Sequence, residues 1–218
     1  MVVGAPLSCR RLVGRDREVA APRERFQEAV HRRGSLVIVT GEAGIGNTRF
    51  LFEMLQQLKA DGATVLRSQF FEHVSTPMGP LVDIFRELYK TLPATIAKGF
   101  ASAGFGRESD SSDGVIFDSR ASQFASIAET LLRCAAATPL IIAIEDIHWA
   151  DPATLECLQY LASRLEGTRL LFVLTYRSES IDRPRTPVAE YSKFTRRANV
   201  WQIALQPLGT ADIWMRTA

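Results

Sequence analysis

A glycine-rich segment carries the clearest chemical pattern in the sequence: Gly41, Glu42, Ala43, Gly44, Ile45, Gly46, Asn47 and Thr48. It follows an apolar run and precedes an amphipathic segment, which predicts the order strand, turn, helix. Glycines at this spacing let backbone N–H groups converge on phosphate oxygens, and the N-terminus of the following helix adds a positive end. The hydroxyl of Thr48 would then face Mg²⁺. The alternative is a glycine-rich turn that never meets phosphate.

Asn47 stands where a loop of this kind calls for lysine. A lysine brings a positive charge to the terminal phosphates, whereas the asparagine amide is only a neutral donor. Losing one charge-assisted contact costs about 1.5–3 kcal/mol, which is on the order of ten- to a hundredfold in affinity. Hydrolysis should suffer more, because charge grows on the transferring phosphoryl group. Arg49 is predicted to be a poor substitute, because it starts from a different face of the helix.

Two carboxylates, Glu145 and Asp146, directly follow the apolar run Leu140–Ile144. The carboxyl end of a buried parallel strand is where α/β sheets bind ligands. In a phosphoryl-transfer site, one acid holds hydrated Mg²⁺ and the other polarises the attacking water. The alternative is an ordinary pair of loop carboxylates, and the upstream glycine segment favours the functional interpretation.

A cation, Arg177, ends the next apolar run and should emerge at the same edge of the sheet. It would contact a terminal phosphate, or it would pair with Glu145 or Asp146, and the residues alone leave both interpretations open. Asp151 before Pro152 predicts a helix N-cap. His148 is predicted to be structural.

The elements that must position these groups alternate along the chain. The predicted strands are 36–40, 64–68, 140–144, 170–174 and 200–204. The predicted helices are 48–61, 80–92, 119–137 and 152–166, and loops are expected at 101–118 and 179–188. Apolar runs without polar alternation suit parallel strands covered on both faces. The pattern predicts an α/β fold with a mainly parallel sheet.

Composition excludes several classes of protein. The 218 residues are 46% hydrophobic with a net charge of +2, which excludes general disorder. The longest apolar run falls far short of the roughly 18 residues of a membrane span. The three cysteines form no CxxC motif, so a zinc site or disulfide framework has little support and a reduced, cytoplasmic setting is expected.

Both ends of the chain are basic. Residues 1–35 carry eight arginines against four acids, and residues 173–218 carry seven basic residues against four acids. Basic ends would suit nucleic acid or an acidic partner, and a solvated surface is the alternative.

Five segments, in order, resemble the ATPase module of origin-recognition-like AAA, or STAND, signalling ATPases. These segments are 12–18, 41–48, 144–151, 175–177 and 205–208. Such modules occur in bacterial LuxR-type transcriptional regulators and beside adenylate cyclase or kinase domains. The resemblance covers about residues 12–210, and the sequence His148-Trp149-Ala150-Asp151 is its most specific part.

The resemblance implies a three-layer P-loop NTPase with a five-stranded sheet in the order 5-1-4-3-2, and it implies ATP and Mg²⁺. Thr48 and Glu145 would serve Mg²⁺, the latter through water, and Asp146 would serve the attacking water. Arg177 would contact the γ-phosphate. The residues expected near the adenine are Val13, Gly14 and Arg15.

The sequence departs from the family in three places. Asn47 replaces the lysine. Pro22 stands where the family usually has leucine within the first helix, and a proline there would disturb the start of that helix. The chain stops at Ala218, so we expect a tail at 1–11, the NTPase domain at 12–208 and the start of a truncated lid at 209–218. The family's lid, winged-helix and output domains would then lie outside this chain.

These observations favour an ATP-binding module of a regulatory ATPase with weakened hydrolysis. One alternative is a working Mg-ATPase that takes its phosphate contact from another cation, such as Arg177 or a partner's arginine. The other is a degenerate module that binds protein or DNA through its basic ends.

Overall fold

The described part of the chain comprises four ranges in the computed structural model: 15–72, 77–91, 120–178 and 199–207. Several sequence predictions fall outside these ranges: those for Cys9, Val13, Gly14, Leu208, the two loops and the segment 209–218.

Helices and strands alternate through the described residues. The helices are α1 Asp16–Val30, α2 Asn47–Ala60, α3 Gly79–Thr91, α4 Arg120–Ala137 and α5 Pro152–Ala162. The strands are β1 Ser35–Gly41, β2 Thr64–Gln69, β3 Leu140–Glu145, β4 Leu170–Arg177 and β5 Val200–Ala204. Each predicted strand is present, and β4 runs three residues beyond its prediction, through Arg177.

The strands form one parallel sheet in the order β2-β3-β4-β1-β5. This is the expected order 5-1-4-3-2 read from the other edge, so the predicted fold is confirmed. Parallel pairing brings the carboxyl ends of all the strands to one edge of the sheet. Gly41 of β1 lies opposite Arg177 of β4, and Gln69 of β2 lies opposite Glu145 of β3.

Alternating strand residues fill a core on each side of the sheet. One core packs α1 and α2 against Val39, Ala143 and Val173. The other packs α3, α4 and α5 against Ile144 and Leu174. The sheet is thus the middle of three layers, as a doubly covered parallel sheet requires.

The two described cysteines are free and buried in the core. Burial raises the pKa of Cys134 to about 11. For Cys157, burial and then the nearby Asp151 charge raise the pKa to about 12. Both thiols are therefore protonated core side chains at neutral pH. Within the described ranges, no helix combines the length and apolarity needed to cross a membrane.

Pro22 lies inside α1, which begins at Asp16 and continues to Val30. The expectation that this proline unsettles the start of the first helix was wrong. A proline within a helix removes a backbone hydrogen bond and costs about 3 kcal/mol. The buried side chains of Phe26 and Ala29 bind the later part of α1 to the core, so tertiary packing outweighs the local penalty.

Helix α5 ends at Ala162, four residues earlier than predicted. Its start is as predicted: the Asp151 carboxylate caps the helix by accepting from the Thr154 backbone N–H at 3.0 Å and from the Thr154 hydroxyl. The same carboxylate accepts from the backbone N–H of Met78 at 3.1 Å, next to the start of α3. One side chain therefore links two helix N-termini. Burial raises the pKa of Asp151, but these hydrogen bonds outweigh it and leave the pKa below its ordinary value of 3.8.

We expect Asp151→Ala to lower the free energy of unfolding at pH 7 by about 1 kcal/mol, the usual effect of removing an N-cap. Because the folded-state pKa is depressed, this contribution is complete above pH 3.8 and disappears as the pH falls through the folded pKa. Urea unfolding of both proteins from pH 7 to pH 2 should show the two stabilities converge. Asp151→Asn is the control, because it keeps an acceptor without the titration. A difference that stays constant over this range would contradict the assignment.

Candidate functional site

The glycine-rich segment forms a tight loop between β1 and α2. Gly44 has φ +79° and Gly46 has φ +100°, in the left-handed region that favours glycine. The loop is braced by a hydrogen bond from the Ile45 backbone N–H to the Glu42 carbonyl at 3.2 Å. A side chain at Gly44 or Gly46 would meet open space, so the two positions require glycine for backbone conformation alone. The predicted order strand, turn, helix is confirmed.

Asn47 folds back onto the first glycine of the loop. Its Nδ2 donates to the Gly41 carbonyl at 3.3 Å. A Cβ on Gly41 would lie 2.6 Å from Asn47 Oδ1 and 2.6 Å from Ile45 Cγ2, so the close approach requires glycine. Asn47 Oδ1 is buried and has no hydrogen-bond partner among the described residues. The side chain in the lysine position therefore braces the loop and supplies no charge.

Glu145 is buried at the end of β3, with 1% of its side chain exposed. It shares the α2 side of the sheet with Ala143, two residues earlier. Arg67 of β2 donates to Glu145 Oε1 through Nε and also contacts that oxygen through Nη2. The other oxygen, Oε2, has no hydrogen-bond partner within the described ranges. A buried carboxylate is costly without a counter-charge, and Arg67 supplies one.

Asp146 has a different set of partners. Its backbone is left-handed, with φ 56°, and its N–H donates to Thr175 Oγ1 at 2.9 Å. Its Oδ2 accepts from Gln69 Nε2 at 3.0 Å, and its Oδ1 lies 3.6 Å from Arg177 Nε. Glu145 and Asp146 are adjacent in the chain, but the carboxylate of Glu145 is buried and that of Asp146 borders the cleft. Of the two interpretations offered for Arg177, the structure shows a pairing with Asp146, and the phosphate contact stays a prediction.

The loop, Arg67, Asp146 and Arg177 border one cleft of about 540 Å³. It is lined by Glu42, Ala43, Gly44, Gly46, Asn47, Thr48, Arg49, Phe52, Arg67, Asp146 and Arg177. Of the predicted site residues in the described part of the chain, Gly41, Ile45, Arg15 and Glu145 do not line it. The first two shape the loop, and Glu145 lies behind Arg67.

Arg15 contacts the loop through a hydrogen bond to its backbone. It is 4% exposed, and its Nη2 donates to the Ile45 carbonyl at 3.4 Å while Nη1 pairs with Glu18 at 3.3 Å. Its predicted place near an adenine stays a prediction. His148 packs against Trp149 and Tyr176, with ring centroids 5.0 and 5.9 Å away, which suits the structural role predicted for it.

Sequence reasoning missed three residues that line the cleft, Arg49, Phe52 and Arg67. Arg49 lines the cleft near the start of α2, and the prediction that it substitutes poorly for the lysine stays a prediction. Arg67 lies in the predicted strand 64–68. Its one signal is a charged residue within a predicted strand, two positions before the end of β2.

The residues present fit a magnesium-bound nucleotide. The loop glycines leave open space beside their backbone, and Glu145 Oε2 is a buried acceptor without a partner among the described residues. Thr48 and Asp146 border the same space. The described residues contain no cluster of three or more metal-ligating side chains. Mg²⁺ usually takes only one or two carboxylates from the protein and fills its other positions with phosphate oxygens and water, so a larger cluster is not required.

Residues 11–173 match the AAA ATPase domain family, so the chain belongs to that family. A functionally uncharacterised protein of Rhizobium meliloti (strain 1021) is 24% identical over 230 aligned positions, which cover 92% of this chain and 21% of that protein. The chain thus spans about a fifth of the length of this curated relative.

Two solved structures share the fold. The Aeropyrum pernix ORC1 protein, in complex with DNA, is similar with a TM-score of 0.56 and 15% identity, over 94% of this chain and half of that one. A Pyrococcus horikoshii signal transduction ATPase with numerous domains, which has a tetratricopeptide repeat sensor, is similar with a TM-score of 0.53 and 17% identity. That likeness covers 97% of this chain and 26% of the other. These structures agree with the origin-recognition-like and STAND resemblance of the sequence.

We expect Arg67→Met to lower the free energy of unfolding by about 3 kcal/mol, because it leaves the buried Glu145 carboxylate without its counter-charge. This is the low end of the usual range, since Arg67 is 38% exposed. Adding Glu145→Gln should recover most of the loss by removing the stranded charge. A double-mutant cycle in urea measures the coupling. Additive effects of the two substitutions would show that the pair is energetically unimportant.

Proposed function

We propose that this chain is the ATP-binding module of a signalling or transcription-regulatory ATPase, and that Asn47 weakens its hydrolysis. One observation carries the proposal: the glycine-rich loop and Asp146 border one cleft, while the lysine position holds a neutral amide bonded to Gly41. The loop keeps the shape that cradles phosphate and loses one charge. Binding depends mostly on shape and backbone N–H groups, whereas hydrolysis also depends on charge at the terminal phosphate.

The proposed roles are those that the family resemblance implies, and they are supported by the loop, Asp146 and Arg177 bordering one cleft. The loop from Gly41 to Thr48 would bind the phosphates, and Thr48 with Glu145 would hold Mg²⁺. Bound Mg²⁺ would neutralise charge on the terminal phosphates. Asp146 would orient and polarise the attacking water. Arg177, beside Asp146, would contact the γ-phosphate.

The regulatory role is supported by the similarity to a signal transduction ATPase, whose likeness to this chain is one of fold. If this chain is part of a LuxR-type regulator, a conformational change that depends on the bound nucleotide would be passed to an output domain or partner protein. DNA would then be contacted only indirectly, although the similar ORC1 structure is a DNA complex. The domain limits 12–208, the lid segment 209–218 and the cytoplasmic setting stay predictions.

A working Mg-ATPase is the second candidate function. It is favoured by the arginines Arg49, Arg67 and Arg177, all of which line the cleft. Turnover of ATP separates the two candidates, because the leading proposal expects binding with little hydrolysis. If calorimetry and thermal melting at millimolar ATP show no binding, both are wrong and the glycine loop is only a turn.

Asn47→Lys should tighten ATP binding by about 1.5–3 kcal/mol, the range for a hydrogen bond to a charged group. Without nucleotide it should slightly destabilise the fold, because a cation at a helix N-terminus opposes the helix dipole. Bound ATP should reverse that loss by mass action. Calorimetric titration and melting temperatures with and without Mg-ATP measure both effects. Asn47→Gln is the neutral control, and an equal gain from it would show that charge is not the cause.

Asp146→Asn should leave ATP binding largely intact and abolish any turnover, because the amide cannot act as a base toward water. The comparison is best made in the Asn47→Lys background, where turnover should be highest. Phosphate release under saturating Mg-ATP gives the measurement. Unchanged turnover in the variant would remove Asp146 from the mechanism.

A further inference from the structure

Three arginines reach the cleft from three different elements, Arg49 from α2, Arg67 from β2 and Arg177 from β4. The loop itself offers no cation in the lysine position, because Asn47 fills it. Any positively charged side chain that meets a triphosphate in this cleft would therefore come from outside the loop. The question is which of them is held where a terminal phosphate would lie.

Arg67 is held in place by a buried carboxylate. Its Nε and Nη2 both approach Glu145 Oε1, and Glu145 is itself buried. A guanidinium carries five N–H donors in a rigid plane, so these contacts engage two of them and fix its orientation. The side chain is 38% exposed and borders the cleft, so part of the group is open to a ligand.

The sheet places Arg67 on the side where the loop lies. Val65, two residues earlier in β2, packs in the core that α2 covers, and alternation puts Arg67 on the same face. Gly44, Gly46 and Asp146 border the same cleft. A phosphate chain resting on the loop and extending toward Asp146 therefore shares its space with the guanidinium of Arg67.

We infer that Arg67 supplies the phosphate-facing charge that Asn47 does not, and that it makes the cleft selective for a nucleoside triphosphate over a diphosphate. This inference rests on the proposed ATP binding. A planar guanidinium recognises phosphate oxygens through paired hydrogen bonds, which suits this role. Glu145 neutralises part of the charge, so the contact is weaker than that of a loop lysine. The diphosphate lacks the terminal group that Arg67 would meet.

The test removes Arg67 in a background where Glu145 is already neutral, so that no stranded carboxylate repels the nucleotide. Calorimetric titration of ATP and ADP, without divalent metal, compares the parent, Glu145→Gln, and Glu145→Gln with Arg67→Met. Glu145→Gln is the reference, and the affinities of the double variant are compared with it. Removing Arg67 as well should weaken ATP by about tenfold or more, and ADP by less than about threefold.

Arg49→Met in the Glu145→Gln background is the matched control, because Arg49 is a second arginine that lines the cleft. It should weaken ATP and ADP equally and by less than about threefold, as a general loss of positive charge would. If the Arg67 variant does not melt cooperatively, Arg67→Gln replaces it, keeping a polar side chain without charge. The same selective loss of ATP affinity is expected there.

The outcomes separate the two claims. A parent that binds ATP neither with nor without Mg²⁺ overturns the proposed function, and this inference with it. A parent that binds ATP only with Mg²⁺ overturns the inference alone. A parent that binds ATP, with Arg67 variants that lose nothing or lose ATP and ADP equally, overturns the inference alone. A selective loss of ATP affinity at Arg49 and not at Arg67 would also overturn it.

Discussion

Parallel pairing of every strand is the constraint on which the site depends. Because all the strands run the same way, the residues that end β1, β2, β3 and β4 meet at one edge of the sheet. The register sets Gly41 opposite Arg177 and Gln69 opposite Glu145. Apolar side chains on the two faces of the sheet pack into two different cores, and a slip by one residue would move every side chain of a strand into the wrong core. The cleft is thus a consequence of the two cores.

Burial determines how the charged groups at this edge of the sheet are paired. Glu145 shares a sheet face with core residues and is stabilised there by Arg67 of the neighbouring strand. Asp146 leaves the strand in a left-handed conformation, which is uncommon outside glycine but tolerated by aspartate. Its bonds to Thr175 and Gln69 hold that conformation. Two adjacent acids thereby gain separate environments, which suits the different roles proposed for them.

The loop keeps its shape without its lysine. Gly44 and Gly46 hold the positive φ angles of a tight turn, and Asn47 closes the turn on Gly41. What the substitution changes is charge at the base of the cleft, and the remaining positive charge comes from arginines on α2, β2 and β4. The shape of the loop is therefore independent of the charge at position 47. For this reason, we expect ATP binding and ATP hydrolysis to respond differently to a change at Asn47.

The sequence by itself determined the local features. The glycine loop, the five strands and the Asp151 cap were all predicted, because each depends on neighbours in the chain, and the sheet order followed from the family resemblance. Only the tertiary structure showed that Arg67 pairs with Glu145, since that contact depends on β2 lying beside β3. The tertiary structure also explains why α1 continues past Pro22, because packing against distant side chains outweighs the local cost of a proline in a helix. The periodicity of apolar residues predicts which face of a helix or strand is buried. Which side chain packs against that face depends on contacts between residues far apart in the chain.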